Sequence, residues 1–314
     1  FIPILVGIST KGDWYRFDGD IEKIVKDTWC NFSDCTPAAL SPDRTTHALL
    51  VFYPDKVVKL PIDAAFPVLH GKNGEDGTVQ GLFELSGIPL VGCGTLASAL
   101  CMDKDRAHKL ARAAGVPVPD SFVLKKNMDA GIALKQAESL GYPLFVKPVR
   151  AGSSYGITRV IDREVLPAAV NLAFEYDDEV IIEECITGFE VGCAVMGNDV
   201  LTVGEVDEIE LADGFFNFTE KYTLKTSAIH VPARISKEKA EEIKQTARTI
   251  YQALGCRGFA RVDMFLNAQG KVVFNEVNTI PGFTSHSRYP SMLKAVGISF
   301  DQVISRVIEL AVGI

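Results

Sequence analysis

The chain has 314 residues, 47% of them hydrophobic, and a formal net charge of −8 from 32 basic and 40 acidic residues. This length predicts two or three domains with sizeable cores, and the apolar content excludes a disordered chain. The sequence contains no basic run, so we predict no nucleic-acid partner. It also lacks the run of about 18 apolar residues that a membrane-spanning helix needs, so we predict no membrane segment.

The seven cysteines include no Cys-x-x-Cys pair, and none lies at metal-ligand spacing from one of the five histidines. This usage favours free thiols in a reducing compartment over disulfides or a zinc site. We therefore predict a cytoplasmic protein.

The first third of the chain alternates short apolar runs with turns. A strand is predicted over Ile2–Ile8, and HALLVFY (residues 47–53) and KVVKL (56–60) predict two strands joined by a Pro-Asp turn. The stretch from Asp63 to Gly87 runs from strand to glycine-rich loop to helix, and GIPLVG follows as another strand. Strand, helix and strand at this spacing indicate a parallel α/β unit.

Two polar stretches follow apolar strands, which is where α/β proteins bind their ligands. His70 and Glu75 lie on the turn LHGKNGEDG, where either ligand binding or turn stabilisation explains them. Lys147 ends the strand PLFVKP and precedes RAGSSYG, a Gly/Ser loop that contains Ser153 and whose backbone amides could hold phosphate. The alternative for this loop is a surface turn, because its spacing is not that of a P-loop.

The middle of the chain is predicted to begin a second domain. A helix over Thr95–Ala114 contains Lys104, which by itself indicates only a solvated lysine. The proline-rich segment after this helix places a domain boundary near residue 100. We predict three domains over residues 1–100, 101–184 and 185–314.

Two further stretches have open interpretations. Glu183 ends the apolar run EVIIE and Glu190 follows it, so each is either a nucleotide contact or a solvent-facing acid. Residues 213–227 are polar and aromatic and include Lys221 and Tyr222. A segment of this kind is either a lid over a site or a satellite aromatic cluster.

The last third contains the clearest elements. Ser236 is predicted to cap a helix whose apolar residues recur at intervals of three and four up to Leu254, before Gly255. GFARVDMFL and KVVFNEV flank the turn NAQG and predict a hairpin.

Alternation along the two strands of this hairpin places Arg261 with Asp263 on one face, and Glu276 with Asn278 on one face of the partner strand. Oxygen ligands of this kind suit Mg²⁺ or Mn²⁺, and an arginine beside them could hold an anion. A buried arginine–carboxylate pair that only fixes the sheet is the alternative.

In this order, these motifs resemble those of the D-alanine–D-alanine ligases of the ATP-grasp fold. The similarity extends over essentially the whole chain and is carried by FPVLHGKNGEDGTVQGLFELSGIPLVGC, CMDKDRAHKL, FVKPVRAGSSYGIT, IIEECITGFEVGCAV, FFNFTEKY, GFARVDMF and NEVNTIPGFTSHSRYP. The chain most resembles the vancomycin-resistance members that make D-alanyl-D-serine, the VanG type. The resemblance implies an α/β fold of three domains, with a parallel α/β domain at the N-terminus.

The resemblance further implies an ATP-dependent ligase with two Mg²⁺ (or Mn²⁺) ions. ATP would phosphorylate the carboxylate of D-alanine, and the amine of a second D-amino acid would attack the acyl phosphate. The residues implied for ATP are Lys104, Lys147, Lys221, Glu183 on the adenine side and Glu190 on the ribose. Those implied for the metal ions are Asp263, Glu276 and Asn278.

The same resemblance implies roles at the reacting centre. Arg261 and the Gly282 amide would stabilise the oxyanion. Ser153 and Tyr222 would orient the substrate, and His70 would lie beside the acyl phosphate. The residues implied for substrate binding are Ser287, at the carboxylate of the second substrate, Arg288 and Glu75.

Two positions bear on the second substrate. Lys221 and Tyr222 stand where D-lactate-using relatives carry a histidine, which favours an amine nucleophile. Arg288 stands where ordinary D-alanine ligases have an aliphatic residue, and an arginine can hydrogen-bond a hydroxyl. We therefore predict a ligase of D-alanine and D-serine, for peptidoglycan precursors and vancomycin resistance, and the resemblance implies that it is a homodimer. A D-alanine–D-alanine ligase of normal cell-wall synthesis is the alternative.

The resemblance also implies a strand–helix unit of roughly 30 residues before Phe1, bearing a glutamate for the first D-alanine. A truncated, inactive nucleotide-binding homologue is therefore a further expectation to test. A carboxylase-type or glutathione-synthetase-type enzyme would share the nucleotide site but lack TSHSRYP.

Overall fold

The computed structural model describes residues 1–31, 33–126, 128, 130–152, 155–211 and 227–313. The chain forms two compact units, one of residues 1–65 with 82–89 and the other of residues 66–81 with 90–314. The predicted three-domain division remains a prediction. None of the helices in the described ranges is long and apolar enough to cross a membrane.

The smaller unit is built on a five-stranded antiparallel sheet whose strands follow one another in chain order. The strands are β1 (Leu5–Ile8), β2 (Trp14–Phe17), β3 (Cys35–Leu40), β4 (Ala48–Phe52) and β5 (Val57–Pro61), with the short helix α1 (Glu22–Val25) after β2. The two strands predicted on either side of the Pro-Asp turn are confirmed as β4 and β5, which pair antiparallel.

The mixed α/β class is confirmed, but the sheet of the smaller unit is antiparallel, and the two strands predicted near residues 63–70 and 87–92 are not formed as strands. The structure assigns single bridge residues rather than strands to these stretches, Ala65 in the first and Leu90 in GIPLVG, and Ala65 N donates to Pro89 O at 2.8 Å. Pro67 and Pro89 interrupt the two stretches, and proline cannot donate to a strand ladder.

The larger unit contains two antiparallel sheets. The first has the order β6–β9–β7–β8, and the second has the order β12–β11–β10–β13–β14. Their strands are β6 (Ser121–Lys125), β7 (Leu144–Pro148), β8 (Thr158–Val160), β9 (Glu179–Glu184), β10 (Gly188–Met196), β11 (Thr202–Leu211), β12 (Ser227–His230), β13 (Phe259–Asn267) and β14 (Val272–Asn278).

The remaining described helices are α2 (Thr78–Ser86), α3 (Thr95–Met102), α4 (Lys104–Ala113), α5 (Ala130–Leu140), α6 (Leu166–Ala173), α7 (Lys237–Ala253), α8 (Arg288–Ala295) and α9 (Phe300–Val312). The predicted cap of α7 is confirmed, because the Ser236 side chain accepts from Lys239 N. The single helix predicted over residues 95–114 is wrong. Asp103 has an extended backbone there, and its side chain caps α4 by accepting from Arg106 N.

The two faces of the second sheet differ sharply in polarity. One face packs on α7 through a continuous core that includes Val191, Val262, Met264, Ile243 and Ile250. Because successive side chains of a strand point to opposite faces, the residues that alternate with these core residues along β10 and β13 lie on the other face of the sheet. That face carries the charged residues considered next.

Candidate active site

The hairpin of β13 and β14 brings four predicted polar residues together. Arg261 is paired with Asn278, and Asp263 is paired with Glu276, so all four share one face. The register shifts immediately afterwards, since Met264 is paired with Phe274 and one residue of β14 has no partner. This bulge allows Phe274 to enter the core while Glu276, two residues on, faces the site.

Asp263 is the centre of the cluster and is 1% exposed. Arg261 donates to both of its oxygens, from Nε at 2.8 and 3.1 Å and from Nη2 at 2.7 Å. Asn278 Nδ2 donates to Asp263 Oδ2 at 2.8 Å. Burial acts to lower the pKa of Arg261, but the charge of Asp263 outweighs it and the pKa is raised. The arginine is therefore charged at every physiological pH.

Arg288, the first residue of α8, enters the same cluster from the side. Its Nε and Nη2 donate to Asp207 at 2.6 and 2.8 Å, and its Nη1 donates to Glu190 Oε1 at 3.0 Å. Nη2 also lies 3.4 Å from Asp263 Oδ1. Burial opposes the charge of Arg288, yet the coulombic attraction of Asp207 and its neighbours raises the arginine's pKa well above its ordinary value.

Gly192 makes room for this guanidinium. It is paired with Asp207 on one side and with Asp263 on the other. A Cβ at residue 192 would lie 2.4 Å from Arg288 Nη2 and 2.6 Å from Asp207 Oδ1. A side chain here would displace the arginine, so glycine is required by close approach.

The predicted nucleotide residues form a second group on β7 and β9. Lys147 and Glu183 are both buried and are joined by an ion pair between Nζ and Oε1. Glu183 Oε2 is buried without a hydrogen-bond partner among the described residues. Lys104 Nζ donates to the carbonyl of Ala151 at 2.7 Å, at the start of the Gly/Ser loop. Glu190 lies with Arg288 rather than with this group.

Glu75 links two loops through the main chain. Its Oε2 accepts from Gly71 N at 2.7 Å, and its Oε1 accepts from Ile280 N at 3.3 Å. Burial raises the pKa of Glu75, although these two hydrogen bonds and the nearby His70 oppose the shift. The described contacts of Glu75 favour the turn-stabilising interpretation, with His70 exposed at the cavity beside it.

The loop before α8 is folded around Ser287, the N-cap residue of the helix. Ser287 Oγ accepts from Thr284 N at 3.1 Å and lies 2.9 Å from Thr284 Oγ1. A Cβ at Gly282 would lie 3.0 Å from the same Oγ. The Ser287 hydroxyl is turned to Thr284 and makes no capping hydrogen bond to α8, and the N-terminus of a helix suits a carboxylate.

These residues surround a cavity of about 410 Å³. Predicted site residues that line it are His70, Glu75, Lys104, Arg261, Glu276, Asn278, Gly282, Ser287 and Arg288. Lys147, Glu183, Glu190 and Asp263 are not among its lining residues. Ser153, Lys221 and Tyr222 lie outside the described residues, as does most of the predicted lid.

The hairpin carries oxygen donors of the kind that the implied metal ions bind. Asp263 and Glu276 supply carboxylates, and Asn278 keeps its amide oxygen for a cation because its Nδ2 donates to Asp263. No group of three His, Cys, Asp or Glu within the described ranges is arranged to hold a metal. Mg²⁺ is usually held by one or two carboxylates together with substrate phosphates, so the residues fit an ion shared with a nucleotide.

Asp207 and Gly192 belong to the cluster around Arg288 but carry no sequence signal that singles them out. Asp207 stands among Glu205, Glu208 and Glu210 in one strand, and alternation alone does not distinguish them. It is nevertheless completely buried and bonded twice to Arg288.

Comparison with known families assigns both parts of the chain. The family model described as D-ala D-ala ligase C-terminus matches residues 110–309, and the model described as D-ala D-ala ligase N-terminus matches residues 1–93. The solved structure of the VanG D-Ala:D-Ser ligase from Enterococcus faecalis is 57% identical, with a TM-score of 0.91 over 98% of this chain and 89% of that one. The predicted family and fold class are confirmed.

Two further relatives with different names match nearly the whole chain. The vancomycin B-type resistance protein VanB of Enterococcus faecalis is 48% identical, over 99% of this chain and 89% of its own length. A putative D-alanine–D-lactate ligase of Streptomyces coelicolor is 47% identical, over 98% of this chain and 88% of its own length.

Proposed function

This chain belongs to the D-alanine–D-alanine ligase family, and from that premise we propose that it joins D-alanine to D-serine with ATP. The observation that carries the choice of D-serine is the buried arginine beside Ser287. Arg288 lines the cavity, and Asp207 and Glu190 fix its guanidinium. A rigid donor at this place suits a substrate hydroxyl, which an aliphatic side chain would leave without a partner.

The first step is transfer of the γ-phosphoryl group of ATP to the carboxylate of D-alanine. One carboxylate oxygen forms a bond to phosphorus, the bond from phosphorus to the β,γ-bridging oxygen breaks, and ADP leaves. Lys104 and Lys147 are assigned to the phosphates, and Glu183 to the adenine side. The buried ion pair of Lys147 and Glu183 supports this assignment, because it fixes one positive charge beside one acceptor.

In the second step, the amine of D-serine attacks the carbonyl carbon of the acyl phosphate. The tetrahedral oxyanion is assigned to Arg261 and the Gly282 amide, and the intermediate then expels inorganic phosphate and loses a proton from nitrogen. Arg261 supports this role because it is charged and held rigidly by Asp263. His70, Ser153, Lys221 and Tyr222 keep the roles that the resemblance implies.

The carboxylate of D-serine is assigned to Ser287 and the start of α8. The helix N-terminus and the serine hydroxyl both favour an anion there. The second N–H of Arg288 Nη1, beside the one given to Glu190, is the donor assigned to the serine hydroxyl.

Magnesium ions held by Asp263, Glu276 and Asn278 would neutralise charge on the phosphates. The carboxylates of the cluster, Asp263 among them, are engaged by two guanidinium groups. Binding of cation and nucleotide would therefore redistribute these bonds.

The experiment measures phosphate release from ATP with D-alanine alone, D-alanine plus D-serine, D-alanine plus D-lactate, and no amino acid, and identifies each product by mass. We expect D-serine to give the fastest release and a D-alanyl-D-serine product, with L-serine as the inactive control. Faster phosphate release with D-alanine alone would mean that the second substrate is D-alanine rather than D-serine. A product in which D-alanine is joined to D-lactate as an ester would mean that the second substrate is D-lactate, as in the name of the Streptomyces coelicolor relative. No stimulation by any D-amino acid would contradict the ligase assignment itself.

A further inference from the structure

The loop from Gly282 to Ser287 contains a single apolar side chain, that of Phe283. The residues on either side of it, Gly282 and Thr284, line the cavity, whereas Phe283 is not among the lining residues. The ring therefore lies away from the space proposed for the substrates. Any effect of Phe283 on the reaction must act through the position of the loop.

The Phe283 ring packs in an aromatic cluster with rings from four other segments of the larger unit. Its centroid lies 5.2, 5.3, 5.9 and 5.8 Å, in that order, from those of Phe66, Phe259, Tyr289 and Phe300. These rings belong respectively to the segment before α2, to β13, to α8 and to α9. Aromatic rings attract one another at such separations, so Phe283 attaches the loop to all four segments.

The aromatic cluster is fixed to the sheet of the candidate site. Phe259 and Tyr289 are completely buried, and Tyr289 Oη donates to Val195 O of β10 at 3.2 Å. Phe259 lies two residues before Arg261 on β13, so alternation places both side chains on one face of the sheet. The position of Phe283 in the cluster therefore sets where the loop lies relative to Arg261.

The hydrogen bonds inside the loop do not attach it to the sheet. Ser287 N donates to Thr284 O at 2.9 Å, and Thr284 N donates to Ser287 Oγ at 3.1 Å, so these bonds join loop residues to each other. Arg288 differs, because Asp207 and Glu190 bind its guanidinium directly. The loop and the arginine that follows it thus have separate means of support.

We propose that Phe283 is a positioning residue, whose ring holds the Gly282 amide and Ser287 in place relative to Arg261. This inference rests on the proposed ligase function, which assigns the oxyanion and the carboxylate of the second substrate to these groups. Because Arg288 is supported separately, Phe283 sets how fast D-serine and D-alanine react but not the preference between them. A displacement of about 1 Å, caused by a substitution away from the reacting atoms, can lower a rate about a hundredfold.

The kinetic test uses Phe283→Leu, which keeps an apolar side chain but removes the ring. We expect kcat to fall and KM for D-serine to rise, so that kcat/KM for D-serine falls roughly ten- to a hundredfold while KM for ATP stays the same. The value of kcat/KM for D-alanine should fall by the same factor. Phe283→Met fills more of the space and should lose less activity.

The matched control is Phe174→Leu. Phe174 is also half-buried, and it packs at the end of α6 on the core of the sheet that contains β6 to β9. The control should lower Tm without changing any of these kinetic constants.

Amide hydrogen exchange, followed by mass spectrometry, measures the attachment of the loop without relying on activity. In Phe283→Leu, the amides of Thr284 and Ser287 should exchange roughly tenfold faster than in the unmutated chain, while those of β10 stay the same. In Phe174→Leu, the loop amides should exchange as they do in the unmutated chain.

Unchanged exchange in Phe283→Leu would overturn the proposal, because the ring would then contribute only packing. Faster exchange with unchanged kinetics would also overturn it, because the loop position would not limit the reaction. A changed ratio of D-serine to D-alanine would contradict the separate support of Arg288. If the unmutated chain releases no phosphate with any D-amino acid, the proposed ligase function fails, and the exchange measurement alone then decides whether Phe283 attaches the loop.

Discussion

The larger unit contains two buried clusters of charge that are built in different ways. Around Asp263 and Asp207, two guanidinium groups donate to the carboxylates on several sides. Around Glu183, a single ion pair serves one oxygen, and the other oxygen has no partner among the described residues. The first cluster is internally satisfied and must exchange bonds to receive a cation. The second already presents acceptors for a ligand.

The largest expected effect comes from breaking the satisfied cluster. Arg288→Leu leaves Asp207, which is completely buried, without its bidentate partner. An uncompensated buried charge typically costs about 3–5 kcal/mol, so the free energy of unfolding should fall by about that amount in urea titrations.

The double variant Asp207→Asn/Arg288→Leu removes both charges and separates stability from specificity. We expect it to recover most of the lost free energy of unfolding. Its ratio of kcat/KM for D-serine over D-alanine should stay roughly tenfold or more below that of the unmutated chain. Recovery of stability together with an unchanged ratio would remove Arg288 from the specificity argument.

A second change tests whether the cluster acts on the reaction. Arg261→Gln removes the charge assigned to the oxyanion, and kcat should fall roughly a hundred- to a thousandfold. The exposed Arg257 lies four residues earlier in the chain, and Arg257→Gln is the control for loss of a positive charge. A rise in KM for ATP with kcat unaltered would show that Arg261 serves ground-state binding rather than the transition state.

A smaller effect should follow from crowding the arginine without removing it. In Gly192→Ala the new Cβ would lie 2.4 Å from Arg288 Nη2, so the guanidinium must move. Overpacking of this kind costs about 1–3 kcal/mol, and the D-serine preference should fall with it. Gly81→Ala is the matched control, because the nearest atom to its Cβ would be Thr95 Oγ1 at 3.7 Å. That substitution in a helix should be neutral or slightly stabilising.

Alternation along two strands was enough to predict the shared face of the hairpin, because each polar residue lies two positions from the next. It was not enough to predict the bulge at Asn275, which depends on how β14 pairs across the sheet. Without the bulge, Phe274 and Glu276 would face the same side. The contacts of His108 with the Asn275 carbonyl and of Asp207 with Arg288 could not be predicted either. In each contact the two partners are distant in sequence.

The helix break at Asp103 shows a different limit. Apolar periodicity continues across it, so the sequence predicts one helix, while the aspartate side chain competes for the backbone and caps a second one. The prolines at residues 67 and 89 carried a signal against strands that the apolar pattern outweighed. At both places the local side-chain chemistry, rather than the hydrophobic pattern, determines the secondary structure.

The smallest expected effect concerns the pH dependence of the Glu183 cluster. Burial lowers the pKa of His108 below its ordinary 6.5 in the folded protein, against the opposing charge of Glu183 and with the support of Lys147 and Lys104. The unfolded chain therefore takes up a proton first as pH falls. The contribution of neutral His108 to the free energy of unfolding is therefore present in full above pH 6.5 and is lost progressively below it. His108→Gln has no such group, so its Tm should fall less than that of the unmutated chain between pH 7 and 5.5. The control is Tyr251→Phe, which removes a different buried hydrogen bond, from Tyr251 Oη to Gly197 O, and should keep the full fall of Tm with acid. Equal losses of Tm in all three proteins would mean that the pKa of His108 does not change on folding.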